Sequence, residues 1–186
     1  MDQKFISWYM LEQNELFHQQ RQDYGTYGRK WAKGVAALYG IIGSKSVLDY
    51  GAGKRSLEKE LNIPVQSYDP AIPEISKPPE PADLMVCTHV LEHIEPELLD
   101  TVLSHIKGLT RKAFLIVVDP GPSNKILPDG RDSNLIQKPI DWWITILHDR
   151  FPEFKIQNIN RLQFIKHQKI ISENSDKKGT FIGTKI

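Results

Sequence analysis

The run Val47-Leu48-Asp49-Tyr50-Gly51-Ala52-Gly53 constrains this chain more than any other stretch. It predicts a buried parallel strand running into a tight glycine turn. A short helix follows, with Leu57 and Leu61 turned inward. Glycine has no Cβ, so a turn built on it lets backbone N–H groups approach a ligand closely. Asp49 stands two residues before the first glycine and faces the same space. A carboxylate there would repel a pyrophosphate. It suits a ligand that carries positive charge or hydroxyl groups.

The totals narrow the classes. A chain of 186 residues is expected to form one domain with a full core. Its 24 basic and 23 acidic side chains give a formal net charge of +1, so no field strong enough to attract nucleic acid or an anionic membrane is implied. Cys87 is the only cysteine, which excludes an internal disulfide and fits a reducing compartment. The first four residues lack the apolar core of a secretory signal, and the apolar run Ala113 to Val118 is too short to span a bilayer. A cytoplasmic protein without a membrane partner is expected.

In chain order, Phe5, Trp8, Tyr9, Leu16 and Phe17 recur at helical spacing, and Tyr24 to Gly28 breaks the pattern. A second helix is predicted to bury Trp31, Val35, Leu38 and Ile42 and to stop at Gly43. Val65 to Tyr68 is the second strand, closed by Asp69 and Pro70. Five prolines between Pro70 and Pro81 argue against a full helix and strand there. Asp83 to Cys87 is the third strand, and Pro96-Glu97 opens a helix burying Leu98 or Leu99, Val102, Leu103, Ile106 and Leu109. Ala113 to Val118 reads as a central strand covered on both faces. Asp119 to Lys138 reads as a long loop, and Pro139 starts a helix through Trp142, Trp143, Ile146 and Leu147. Phe154 to Ile186 is expected to supply two or three antiparallel strands, Leu162 to Ile171 and Thr180 to Ile186 among them, with a turn at Asn174 to Gly179.

The alternation predicts an α/β fold: a Rossmann-like, doubly wound sheet, mostly parallel, with antiparallel C-terminal strands and a reduced region after the second strand. Residues 1–24 form an N-terminal helix or flap, and residues 25–186 a single domain. Asp49, Gly51, Gly53, Asp69, Thr88, His89 and Asp119 then fall at the carboxyl ends of four strands, where such sheets bind ligands. Asp69 lies twenty residues beyond Asp49, within reach of a bound ribose. A nicotinamide site is disfavoured, because Ser56 stands where its fingerprint wants the last glycine.

Three pieces in series carry a resemblance: Val47 to Gly53, Asp69, and Ala82-Asp83-Leu84-Met85-Val86-Cys87-Thr88-His89-Val90-Leu91-Glu92-His93-Ile94. Together they resemble the class I S-adenosylmethionine-dependent methyltransferases, in the small-molecule branch with a Leu-Glu-His signature. The resemblance covers roughly residues 25 to 186 and implies S-adenosylmethionine as cofactor. It implies that Gly51, Ala52 and Gly53 border the methionine part, that Asp49 sits near the ammonium, and that Asp69 with Pro70 holds the ribose. Thr88, His89 and Val90 would line the sulfonium side. Two departures stand out. Arg55 occupies a position where the family often has glycine, and the proline-rich stretch replaces a strand that normally contributes to the adenine site.

The acceptor expected is a small molecule with an O or N nucleophile. The sequence lacks the Asp-Pro-Pro-Tyr and Pro-Cys signatures of DNA methyltransferases and any separate target-recognition domain. For a hydroxyl acceptor a base is needed, and His89 and then Asp119 are the candidates. His89, Glu92 and His93 at i, i+3 and i+4 could share a helix face and hold a metal. A hydrogen-bonding role in the turn is favoured over a metal site. The segment Asp119 to Lys138 is read as a substrate-facing lid, and Tyr24 and Tyr27 as either core edge or flap. Two alternatives stay open: a non-catalytic protein on the same fold, and a metal-assisted RNA methyltransferase.

Overall fold

The structure is a computed structural model that describes residues 5–159, 162–165, 169–172 and 178–186. The helices are α1 (Trp8–Gln20), α2 (Ala32–Ile41), α3 (Ser56–Glu60), α4 (Leu99–Leu109) and α5 (Ile140–Arg150). The strands are β1 (Val47–Tyr50), β2 (Val65–Tyr68), β3 (Ala82–Thr88), β4 (Thr110–Val118), β5 (Phe154–Asn158), β6 (Leu162–Ile165), β7 (Lys169–Ser172) and β8 (Gly179–Lys185). Six of them form one sheet in the order β2-β1-β3-β4-β8-β5. The first four run parallel, and β8 is antiparallel to both β4 and β5. This is the mixed α/β architecture that the sequence predicts.

Alternation along the strands divides the core into two layers. In β4, Phe114, Ile116 and Val118 face α4 and α5, where Val102, Leu103, Ile106, Trp143 and Leu147 are buried. Ala113, Leu115 and Val117 face the opposite layer, with Val35, Leu38 and Leu57 from α2 and α3. All six of these β4 side chains are fully buried, as a central strand requires. Leu99, not Leu98, begins the inward stripe of α4.

Between Pro70 and Pro81 the backbone makes one 3₁₀ turn, Pro73–Ile75, and no strand, so β2 is the edge of the sheet. The chain therefore leaves β1 for β2 on one side and returns to β3 on the other. That reversal opens a crevice above the carboxyl ends of β1 and β3.

α1 is the helix that the spacing predicts; it buries Met10, Gln13 and Phe17 and leaves Trp8 and Tyr9 exposed. Ser7 Oγ accepts from the Met10 N–H and caps its first turn. Two expectations need correction. The run Leu162 to Ile171 is two strands, β6 and β7, paired antiparallel in a sheet of their own, so the C-terminal region holds four strands. The polar group Lys166-His167-Gln168 between them lies outside the described residues, as does most of the expected turn at Asn174 to Gly179. Finally, His89, Glu92 and His93 do not share an α-helical face: His89 is left-handed (φ 56°), and Leu91–His93 form a single 3₁₀ turn.

The segment Asp119 to Lys138 is a loop, as predicted, and it is packed. Ile126 and Asp132 form a β-bridge, and Leu127 joins Met10, Phe17 and Tyr24 in a small cluster beneath α1. No described helix is long and apolar enough to cross a membrane.

Candidate functional site

A cavity of about 270 Å³ opens at the carboxyl ends of the parallel strands. Asp49, Gly51, Ala52, Gly53, Asp69, Pro70, Thr88, His89, Val90 and Asp119 all line it. Every site residue predicted from the sequence is thus brought to one place, by four strands.

Asp49 ends up there because β1 must continue its buried run up to the turn. It is 1% exposed, and its Oδ2 has no hydrogen-bond partner in the protein. Burial, with the charges of Asp69 and Glu58 added, pushes its carboxyl up to about 7. A buried acid with an unused oxygen at a cavity wall is the condition a cationic ligand would relieve.

Asp69 follows β2 directly and is also buried. Burial raises its carboxyl, and two backbone hydrogen bonds oppose that rise. Its Oδ2 accepts from the Gly53 N–H at 3.0 Å and its Oδ1 from the Ala71 N–H at 3.0 Å. Each oxygen keeps a further lone pair for a ligand. The two oxygens also brace the turn.

The glycines have a different reason from the one expected. The Gly51 and Ala52 N–H groups both donate to the Tyr68 carbonyl, at 2.8 and 2.9 Å. Gly51 and Gly53 both have positive φ. A Cβ on Gly51 would lie 2.3 Å from Val90 Cγ2, and one on Gly53 would lie 2.6 Å from Gly25 Cα. The turn is bare because neighbouring chain segments press on it, with its N–H groups spent inside the protein.

Arg55 does not fill the cleft. It is exposed and does not line the cavity, and it holds a left-handed backbone (φ 54°) at the start of α3.

On the other side of the cavity, His89 Nδ1 lies 3.1 Å from Glu92 Oε1, and the same oxygen accepts from the Asp119 N–H at 2.9 Å. Burial alone would raise the Glu92 carboxyl. The His89 hydrogen bond and the neighbouring imidazoles outweigh it, and the carboxyl titrates below its ordinary value. His93 Nδ1 donates to the Ser133 carbonyl at 2.6 Å. Among the described residues no group of three or more His, Cys, Asp or Glu side chains is arranged to hold a metal ion.

No protein-family model matches the chain, and no curated protein sequence does. Solved structures do match. Human N-acetylserotonin methyltransferase in complex with SAM aligns with a TM-score of 0.55 at 15% identity, over 92% of this chain and 55% of the human one. DhpI in complex with SAH gives 0.55 at 12% identity, over 96% and 98%. The methyltransferase domain of bacterial CtHen1 gives 0.55 at 12% identity, over 82% and 96%. The chain shares its fold with these methyltransferases. It spans about half the length of the human protein and nearly all of DhpI.

Within this methyltransferase fold the cavity also has a roof that sequence reasoning largely missed. Met10, Asn14 and His18 of α1 line it together with Tyr24 and Tyr27, and so do Lys125, Asn134 and Lys178. Asn14 Oδ1 accepts from Tyr24 Oη at 3.1 Å, and the Lys54 N–H donates to the Gly25 carbonyl at 2.9 Å. The N-terminal segment is thereby tied to the glycine turn. His18 is neutral at pH 7: burial, helped by the charges of Lys54 and His93, drops it to about 4. The flap readings of residues 1–24 and of Tyr24 and Tyr27, and the lid reading of Asp119 to Lys138, pointed to this roof without naming its α1 side chains, because no periodic pattern marks a side chain that meets its neighbours across a cavity.

Proposed function

We propose that the protein is an S-adenosylmethionine-dependent methyltransferase acting on an O or N nucleophile of a small molecule. The observation that carries this reading is Asp49, a carboxylate 1% exposed with an unpaired Oδ2, on the wall of the cavity above the crevice of a methyltransferase fold. The residues present fit the cofactor's chemistry: Asp49 accepts a cation, and Asp69 keeps lone pairs for ribose hydroxyls. Bound there, S-adenosylmethionine would supply an electrophilic methyl group on a positively charged sulfur.

The chain's own residues then divide the work. Thr88, His89 and Val90 form the wall between the acid side and the loop after β4. The Glu92 carboxylate holds His89 Nδ1 as the protonated nitrogen, which leaves Nε2 as the basic one. His89 is thus set to take a proton from an acceptor hydroxyl as it attacks. Asp119, half-buried, is the second candidate base. The roof formed by α1, Tyr24 and Tyr27 limits water and holds the acceptor in line, where orientation supplies most of the rate.

A calorimetric titration with S-adenosylhomocysteine tests the reading before any acceptor is known. Binding with a matching rise in melting temperature is expected. No heat and no shift would instead support a non-catalytic protein on this fold.

A further inference from the structure

The ionisable residues around the cavity are segregated. Five acids line the cavity. Asp49 and Asp69 stand at the ends of β1 and β2, Glu92 and Glu95 follow β3 and already accept from the Asp119 and Ser7 N–H groups, and Asp119 follows β4. The lysines Lys125 and Lys178, in contrast, come only from the loop after β4 and the approach to β8. The lysines converge on one ring. Lys125 Nζ lies 5.2 Å from the Tyr27 centroid and Lys178 Nζ 5.1 Å, and Lys30 Nζ, which does not line the cavity, lies 4.1 Å away. Three ammonium groups around one phenol repel each other, and a ring quadrupole compensates each by only about 0.5–1 kcal/mol at exposed sites.

The counter-charge within the described residues is small. Asp119 Oδ2 lies 3.7 Å from Lys178 Nζ. Asp23, whose carboxyl also feels Lys125, is already gripped by Arg21 through two hydrogen bonds of 3.1 and 3.3 Å. Lys125 has no carboxylate oxygen within 4.0 Å among the described residues. Its ammonium instead spans Tyr24 and Tyr27, 5.3 and 5.2 Å from their centroids. With Glu92 and Asp119 counted, the rim beside His89 sets three ammonium groups against two carboxylates, and the His89 ring lies tilted against Tyr27 at 5.2 Å.

We propose that Lys125 and Lys178 form a binding site for an anionic group, a carboxylate or a phosphate, on the methyl acceptor. This rests on the cavity being the methyl-transfer site. It adds a substrate class: a small molecule with its nucleophile at His89 and its negative charge at the Tyr27 rim, against walls made apolar by Tyr24, Tyr27 and Met10. The unpaired Asp49 oxygen at the end of β1 and the lysines at the Tyr27 rim orient the two ligands relative to each other. The cationic donor is drawn to β1 and β2, and the anionic acceptor to the loop after β4.

The test uses the full chain saturated with S-adenosylhomocysteine and three probes of matched size: benzoate, phenyl phosphate and benzamide. Inorganic phosphate serves as a fourth. At low salt, at least one anion is expected to bind about tenfold more tightly than benzamide, and added salt should erode that preference. Which anion binds best separates carboxylate from phosphate. In the double variant Lys125→Gln/Lys178→Gln the preference is expected to vanish while affinity for S-adenosylhomocysteine stays within about twofold.

If S-adenosylhomocysteine fails to bind the unaltered protein, the functional reading falls and this inference falls with it. If it binds but no anion outcompetes benzamide, the inference alone is overturned. It is also overturned if the double variant loses affinity for S-adenosylhomocysteine, which would assign the lysines to the donor's own carboxylate.

Discussion

The two sides of the cavity are built in opposite ways. The acid side is local: Asp49, the glycine turn and Asp69 come from one β–turn–α–β passage, and Gly53 N–H to Asp69 Oδ2 closes it upon itself. The loop side is assembled from distant parts: Tyr27 after α1, His89 after β3, Asp119 and Lys125 after β4, and Lys178 before β8. Their electrostatics differ as well. The acid side buries carboxyl groups whose ionisation folding opposes, whereas the loop side half-exposes Asp119, Lys125 and Lys178 and holds its one buried carboxylate, Glu92, ionised against His89. A buried, unrelieved acid is a standing destabilisation, and it makes sense where a ligand will arrive to relieve it.

Removing His89 tests the loop side most severely. His89→Ala is expected to lower the methyl-transfer rate by about 10²–10⁴ on a hydroxyl acceptor. Affinity for S-adenosylhomocysteine should change little, since the acid side is intact. Single-turnover rates alongside calorimetry separate the two. Transfer at the unaltered rate would take the base role from His89.

Asp49→Asn tests the acid side, and its two effects have opposite signs. Binding of S-adenosylhomocysteine should weaken by about a hundredfold, the cost of losing a desolvated charge pair. The unliganded fold should gain stability. Asp49 titrates at about 7 in the folded protein, above its ordinary 3.8, so the folded state holds a proton that the unfolded chain has released. That stability is fully present below about pH 4 and is lost as pH rises through about 7, on the order of 4 kcal/mol in all. The asparagine variant should lack this slope and be more stable at pH 8 by about 1–3 kcal/mol, once its own unmet hydrogen bonds are counted. Urea denaturation from pH 4 to 8 reads the difference, and parallel slopes in the two proteins would show that Asp49 is not the titrating group.

This asymmetry also explains what the sequence could tell. Val47 to Gly53, Asp69 and the strand Ala82 to Thr88 were legible because each is a short contiguous pattern whose spacing fixes its place on a parallel sheet. The five prolines from Pro70 to Pro81, counting both, likewise argued against a full helix and strand there, and without that strand β2 is the edge. Lys178 could not be seen, and Lys125 was legible only as part of the Asp119 to Lys138 segment read as a lid. Lys125 sits in a loop without period, and Lys178 lies 151 residues from the Tyr27 ring it approaches. The glycine turn was legible, while Gly25 and Val90, which press on it, were not.

Gly53→Ala sharpens that last point. The turn must hold φ at 51°, and an added Cβ would lie 2.6 Å from Gly25 Cα and 2.7 Å from its carbonyl oxygen. Both are backbone atoms and cannot swing away, so the substitution should cost about 1–3 kcal/mol. It should also free the roof, making the chain near Gly25 more susceptible to proteolysis. Loss of stability with the roof still protected would mean that strain at residue 53 acts alone.

Arg55→Gly is the matched control, and its effect should be the smallest. Arg55 holds a φ of 54°, close to that of Gly53, but it is exposed and away from the cavity. Relieving a left-handed non-glycine residue gains about 1–2 kcal/mol, and glycine returns up to about 1 kcal/mol through the entropy of the unfolded chain. A net gain of up to about 1 kcal/mol in urea denaturation follows, with binding of S-adenosylhomocysteine unchanged. Two residues apart and nearly equal in φ, positions 53 and 55 would then respond with opposite signs. The backbone angle is common to both, so the difference must come from Gly25 pressing on one and solvent facing the other. Were Arg55→Gly to tighten binding of S-adenosylhomocysteine instead, the arginine would be reaching the cleft in solution, and the acid side would have a cation of its own.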